Sequence, residues 1–116
     1  MEKILENTLL YDFYGELLTE KQRKLFEMHF YDDLSLGEIG DIEGISRQGV
    51  SRQLKRGEEA LREYEDKLRL VEKFLKIKEK TEAMTVILED IQREKPEESG
   101  KIDRLKGIAS SIVDLI

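Results

Sequence analysis

The 116 residues contain no cysteine, one proline, at position 96, and one histidine, His29. Without cysteine there is neither a disulfide framework nor a thiolate metal site. No apolar run approaches the roughly 20 residues of a membrane-spanning helix. The opening MEKILENTLL lacks the long apolar core of a secretory signal, so the expected compartment is cytoplasmic. The usual enzyme signatures are missing too. The glycines of GEIGDIEG lie within a capped helical stretch and do not follow a strand, which excludes a phosphate-cradling loop. No cysteine nucleophile exists, and His29 has no carboxylate at metal-ligand spacing. It stands among aromatics, as a packing residue does. Asp32 and Asp33 lie between two capped helices and read as a turn. These absences point away from catalysis, cofactor, metal and small-molecule substrate. Within these residues neither a basic arm nor a sensing domain is expected.

What is present is charge and helical period. Charged residues make up 40% of the chain and a lone proline leaves long stretches unbroken, which points to long helices. At 116 residues and 39% hydrophobic content, the chain suits one small domain with an extension and a modest core.

The stretch LSLGEIGDIEGISRQGVSRQLKRG, Leu34 to Gly57, has the pattern of a helix-turn-helix. Ser35 with Glu38 forms a capping box that opens a short helix, with Leu36, Ile39 and Ile42 along one side. Gly44 supplies the positive φ of the turn. Ile45 drops into the core and Ser46 caps a second helix from Arg47. Val50 and Leu54 face inward. Arg47, Gln48, Ser51, Arg52 and Lys55 project elsewhere, at the spacings that a major-groove helix uses. Charge agrees with this. The chain carries a net −6, yet Ser46 to Gly57 holds four bases (Arg47, Arg52, Lys55, Arg56) and no acid, leaving 16 bases against 26 acids elsewhere. A basic island on an acidic body localises where a polyanion approaches. Arg56 is placed to reach a flanking phosphate.

Leu18 to Leu61, LTEKQRKLFEMHFYDDLSLGEIGDIEGISRQGVSRQLKRGEEAL, resembles the C-terminal promoter-reading helix-turn-helix of bacterial sigma factors. With its short first helix and helical tail, the whole chain resembles in length and layout the YlxM-like family of helix-turn-helix proteins. LSLGEI and GISRQGVSRQLKR are the specific part. Members of that family are typically encoded beside components of the signal recognition particle, so the resemblance implies a part in that pathway or in its regulation. Matched residue by residue, it places the groove-facing positions at Ser46, Arg47, Gln48, Ser51, Arg52 and Lys55. Gly40, Gly49 and Gly57 stand where such motifs more often have alanine. Glu43 stands where an apolar residue is usual, and Ile42 is expected to take over its packing.

Around the motif, residues 2 to about 17 are expected to form a first helix with Leu5, Leu9, Leu10, Phe13, Tyr14 and Leu17 on its stripe. Thr19 and Gln22 form a capping box for a second helix to Tyr31, with Leu25, Phe26, His29 and Phe30 on one face. From Val50 the inward positions run through Leu54, Gly57, Leu61, Tyr64, Leu68, Val71 and Leu75 in alternating steps of four and three. This heptad run predicts one helix from Arg47 to about Lys78, roughly 48 Å long. A third region starts at Thr81 with Met84, Ile87, Leu88 and Ile91. EKPEESG then breaks the chain, and Ile102 to Ile116 form a last amphipathic helix that folds back onto residues 68–78.

The expected fold is therefore all-α: a helix-turn-helix domain without a wing over 1–66, and a helical extension over 67–116. Phe74, Ile77, Ile87, Ile91, Ile108 and Ile112 are the expected interface of a homodimer. The expected function is a DNA-binding, transcription-regulating module. The alternative is an adaptor for structured RNA or for protein, such as components of the signal recognition particle.

Overall fold

Side chains with a single hydroxyl decide where three helices begin. Thr19 Oγ1 accepts the Gln22 N–H at 3.1 Å while Gln22 Oε1 accepts the Thr19 N–H at 3.1 Å, opening one helix. Ser35 and Glu38 make the same reciprocal pair, at 3.1 Å each way. Ser46 Oγ accepts the Gly49 N–H at 2.9 Å. Each cap satisfies an N–H that would otherwise lack a partner. The bonds from Ser35 also hold the Glu38 carboxyl below its ordinary pKa.

The computed structural model describes residues 3–116, and all its regular structure there is helical. In chain order it has α1 (Lys3–Tyr14), a 3-10 turn (Gly15–Leu17), α2 (Glu20–Phe30), α3 (Leu36–Glu43), α4 (Arg47–Leu68), α5 (Leu70–Glu94), a second 3-10 turn (Pro96–Glu98) and α6 (Ser99–Asp114). The chain divides into two compact units, one running to Val71 and one from Glu72.

The first unit is built around α4. Val50, Leu54, Gly57 and Leu61 are its buried stripe, as the spacing predicts, but the expected continuation does not hold: Tyr64 is half-buried and Leu68 is 47% exposed. Leu10 and Tyr14 of α1, Leu25, Phe26 and Met28 of α2 and Ile39 of α3 complete this core. Tyr11 stacks on Phe26, with ring centroids 4.8 Å apart. Glu58, Arg62 and Glu65 fall one turn apart on α4 and each meets α1. Asn7 Nδ2 donates to Glu58 at 3.3 Å, Arg62 pairs with Glu6 at 2.8 Å, and Tyr14 Oη donates to Glu65 at 2.5 Å.

Several expectations need correction. Glu2 lies outside the described residues, and α1 ends at Tyr14 rather than Leu17. Leu5 and Leu17 are both 54% exposed, and Asn7 takes the buried place beside Leu10. The helix expected from Arg47 to Lys78 stops at Leu68. Arg69 is left-handed, with φ 58°, and α5 starts at the next residue. Side chains outside the heptad run produce the break. Tyr14 Oη accepts the Leu70 N–H at 3.1 Å, and Glu65 Oε1 accepts the Val71 N–H at 3.0 Å. They cap a new helix where local sequence offers no stop.

In the second unit no break occurs at Thr81, which is buried within α5. The polar break is also shorter than expected, because Ser99 and Gly100 already belong to α6. α6 runs antiparallel to the later half of α5, not onto residues 68–78. Gln92 Nε2 donates to Ser99 at 2.7 Å and Asp103 at 2.9 Å, and Lys106 Nζ donates to Gln92 Oε1 at 3.2 Å.

Candidate nucleic-acid interface

The turn of the motif depends on two glycines. Gly44 is left-handed, with φ 70°, and its N–H caps α3 on Gly40 O. Ile45 N–H reaches the same oxygen at 3.0 Å. At Gly40 a Cβ would stand 2.6 Å from Ile45 O, so the chain crosses where only glycine fits. Glycine at 40 is therefore a requirement of this close approach, which its neighbours in sequence do not reveal. Ile39 and Val50, both 0% exposed, lock α3 against α4.

That packing fixes what α4 shows to solvent. Ser46, Arg47, Gln48, Ser51, Arg52, Lys55 and Arg56 are all exposed. Gln48, Arg52 and Lys55, four and three residues apart, form the stripe opposite Val50 and Leu54. Ser51 and Lys55 also line a cleft with Lys3, His29, Leu36, Leu54 and Glu58. Lys3 and His29 come from other helices, so no reading of the motif alone finds them. His29 Nδ1 lies 2.9 Å from Leu34 O, which anchors the ring in the α2–α3 turn. Ser46 Oγ is occupied as the α4 cap, so it contacts a ligand only through its remaining hydrogen-bonding capacity.

What distinguishes this surface is local composition: four bases and no acid between Ser46 and Gly57. Lys24, Arg62, Lys67, Lys76, Arg93 and Lys106 each pair with a carboxylate. Arg47, Arg52, Lys55 and Arg56 form no ion pair with any described residue, and the first turn of α4 has no acid. The helix N-terminus adds partial positive charge to the same end. At the back of the motif the expected exchange between Ile42 and Glu43 does not happen. Ile42 is 61% exposed. The Glu43 side chain is 20% exposed and pairs with Lys24 at 2.9 Å. A charged residue keeps the inward position because α2 supplies its partner.

The other candidate surface is in the second unit. Ile87, Ile108 and Ile112 come together at one apolar cleft, and Ile91 is exposed one turn beyond Ile87. Phe74 and Ile77 are half-buried further back on α5. Among the described residues no group of three or more His, Asp or Glu is placed to hold a metal, and no helix is long and apolar enough to cross a membrane.

Comparison with known proteins agrees with this geometry. The profile of the family described as "Putative helix-turn-helix protein, YlxM / p13 like" matches residues 1–107. A UPF0122 protein of Thermoanaerobacter sp. is 48% identical over 109 residues, 93% of this chain and 92% of the relative. One from Caldanaerobacter subterraneus is 59% identical over 75 residues, 65% of this chain and 64% of the relative, so that match spans less than two thirds of the relative's length. One from Shouchella clausii is 53% identical over 74 residues, 64% of this chain and 68% of the relative. With a helix-turn-helix whose turn, caps and outward basic face are all in place, the chain belongs to the UPF0122 family of YlxM / p13-like helix-turn-helix proteins.

Proposed function

We propose that the protein binds nucleic acid through the N-terminal half of α4 and reads duplex DNA in the major groove as a regulatory protein. The observation that carries this is the set of four exposed bases on α4, forming no ion pair with any described residue, in a chain of net charge −6. Arg52 and Gln48 are the base-reading candidates, since Arg pairs bidentately with guanine and Gln with adenine. Lys55 and Arg56 meet phosphate. Two chains paired through the helical extension would engage one duplex if their heads reach successive turns, about 34–36 Å apart. The proposed setting is the signal recognition particle pathway, which the resemblance of the sequence implies.

The second reading is an adaptor for RNA or protein of the signal recognition particle. The acidic remainder of the chain, which opposes long electrostatic contact with a polyanion, favours it. A-form RNA has a major groove too deep and narrow for α4, so RNA binding would use phosphate contacts alone.

Selection of bound sequences from random DNA and from total cellular RNA, followed by low-salt titration, separates the two. Enrichment of a DNA motif supports groove reading. If neither nucleic acid binds, or if the quadruple alanine variant at 47, 52, 55 and 56 binds as well as the parent, α4 is not a nucleic-acid site and the adaptor reading replaces it.

A further inference from the structure

The hairpin of α5 and α6 is closed along one side only. On the closed side Ile102 and Ala109 are buried, and Gln92 holds Ser99, Asp103 and Lys106. On the open side Met84, Ile87, Leu105 and Ile108 are 44%, 59%, 49% and 51% exposed. They border a cleft of about 300 Å³ with Leu88 and Ala109 at its base. Two helices have no third layer to cover such a stripe, and an amphipathic face of this kind is stable only when buried against another element.

We infer that a second copy of the chain closes this face, α6 of each copy lying against α5 of the other in an antiparallel four-helix bundle. This deepens the proposed pairing of chains by naming its surface and geometry. The two open rows match each other. Met84, Ile87 and Ile91 on α5, and Leu105, Ile108 and Ile112 on α6, follow the same three-and-four spacing, so each row can serve as the other's partner.

Charge supports the same arrangement. The bonds of Gln92 set the level of the two helices, bringing Glu94 of α5 level with the start of α6, where Lys101 and Arg104 stand. A two-fold axis parallel to the hairpin keeps these levels and exchanges the helices. It sets Glu94 of one copy beside Lys101 and Arg104 of the other. None of the three forms an ion pair with a described residue of its own chain. A two-fold contact then repeats each such pair twice.

The test uses the full chain without nucleic acid, so that it stands apart from the α4 reading. Light scattering at about 50 μM should give the mass of two chains, at the micromolar affinity typical of a modest interface. Ile108→Asp and, independently, Ile87→Glu should give the mass of one chain with unchanged helical circular dichroism. Glu94→Lys and Arg104→Glu should each loosen the dimer roughly tenfold, from two symmetric pairs worth a few-fold each. Together they should restore it. A single-chain mass for the unaltered protein overturns the inference and leaves the cleft to a foreign helix. Dimers that survive both apolar substitutions overturn the surface. Additive losses in the double reversal overturn the α6-against-α5 arrangement.

Discussion

Tyr14 and Glu65, 51 residues apart in sequence, share a 2.5 Å hydrogen bond that sets where α5 begins. Tyr14 Oη also accepts the Leu70 N–H, and Glu65 also accepts the Val71 N–H. Tyr14 is 1% exposed, so these groups have little water to replace a lost partner. Tyr14→Phe should destabilise the first unit by about 1–3 kcal/mol, the usual penalty for stranding buried polar groups. Amide exchange at Leu70 should accelerate with it. Unchanged exchange at Leu70 in this variant would show that the hydroxyl does not cap α5.

At the turn, Gly40→Ala should destabilise by about 1–3 kcal/mol through overpacking, because its Cβ meets backbone that cannot swing aside. Urea denaturation checks this. A neutral or stabilising result, as helix propensity alone would give, refutes the close-approach account.

Which residue of α3 packs inward is open to the same method. Ile39→Ala should lose about 2–5 kcal/mol, the range for truncating a buried isoleucine. Ile42→Ala should stay within about 0.5 kcal/mol, as surface substitutions do. Comparable losses at both positions would contradict the exposure of Ile42.

For the α4 surface, Lys55→Ala should weaken binding to all sequences alike and reduce the slope of log K against log salt by about one. Arg52→Ala should instead relax preference at one base position, by about 1–3 kcal/mol. Salt-dependent titrations on the selected site and on a scrambled one distinguish these effects. Identical behaviour of the two variants would reduce Arg52 to a phosphate contact.

Three phenols give the fold an alkaline limit. Burial, with a hydrogen bond to Glu27, pushes the Tyr11 phenol up to about 12. Burial and Asp12 push Tyr31 up to about 12. Burial and Glu65 raise Tyr14 as well. The folded chain keeps these protons longer than the unfolded chain, so the unfolded state binds fewer protons above the ordinary tyrosine pKa of about 10. The stability they contribute is intact below about pH 10 and is lost as pH rises through the folded values near 12. Phenolate absorbance should rise late, and Tyr11→Phe and Tyr31→Phe should each remove part of the late rise. A single transition at the ordinary value in folded protein would sink this.

What the sequence determined by itself were the features whose causes lie within a few residues. Thr19, Ser35 and Ser46 cap because a hydroxyl and an N–H three residues on meet in any helix start. Gly44 turns because its own φ permits it, and Val50, Leu54, Gly57 and Leu61 are buried because a period of 3.6 puts them on one side. The exposed basic face of α4 follows from the same period. Tertiary structure decided the rest. The heptad run passes through Arg69 without a breaker, and the helix still ends there, because Tyr14 and Glu65 offer better partners to the next two N–H groups. Glu43 turns inward because Lys24, on another helix, neutralises it. Gly40 is needed only once Ile45 O arrives beside it. Lys3 and His29 join the α4 cleft only through packing. A local rule sees each residue's own preferences, and these four outcomes depend on what the fold brings up against them from far along the chain.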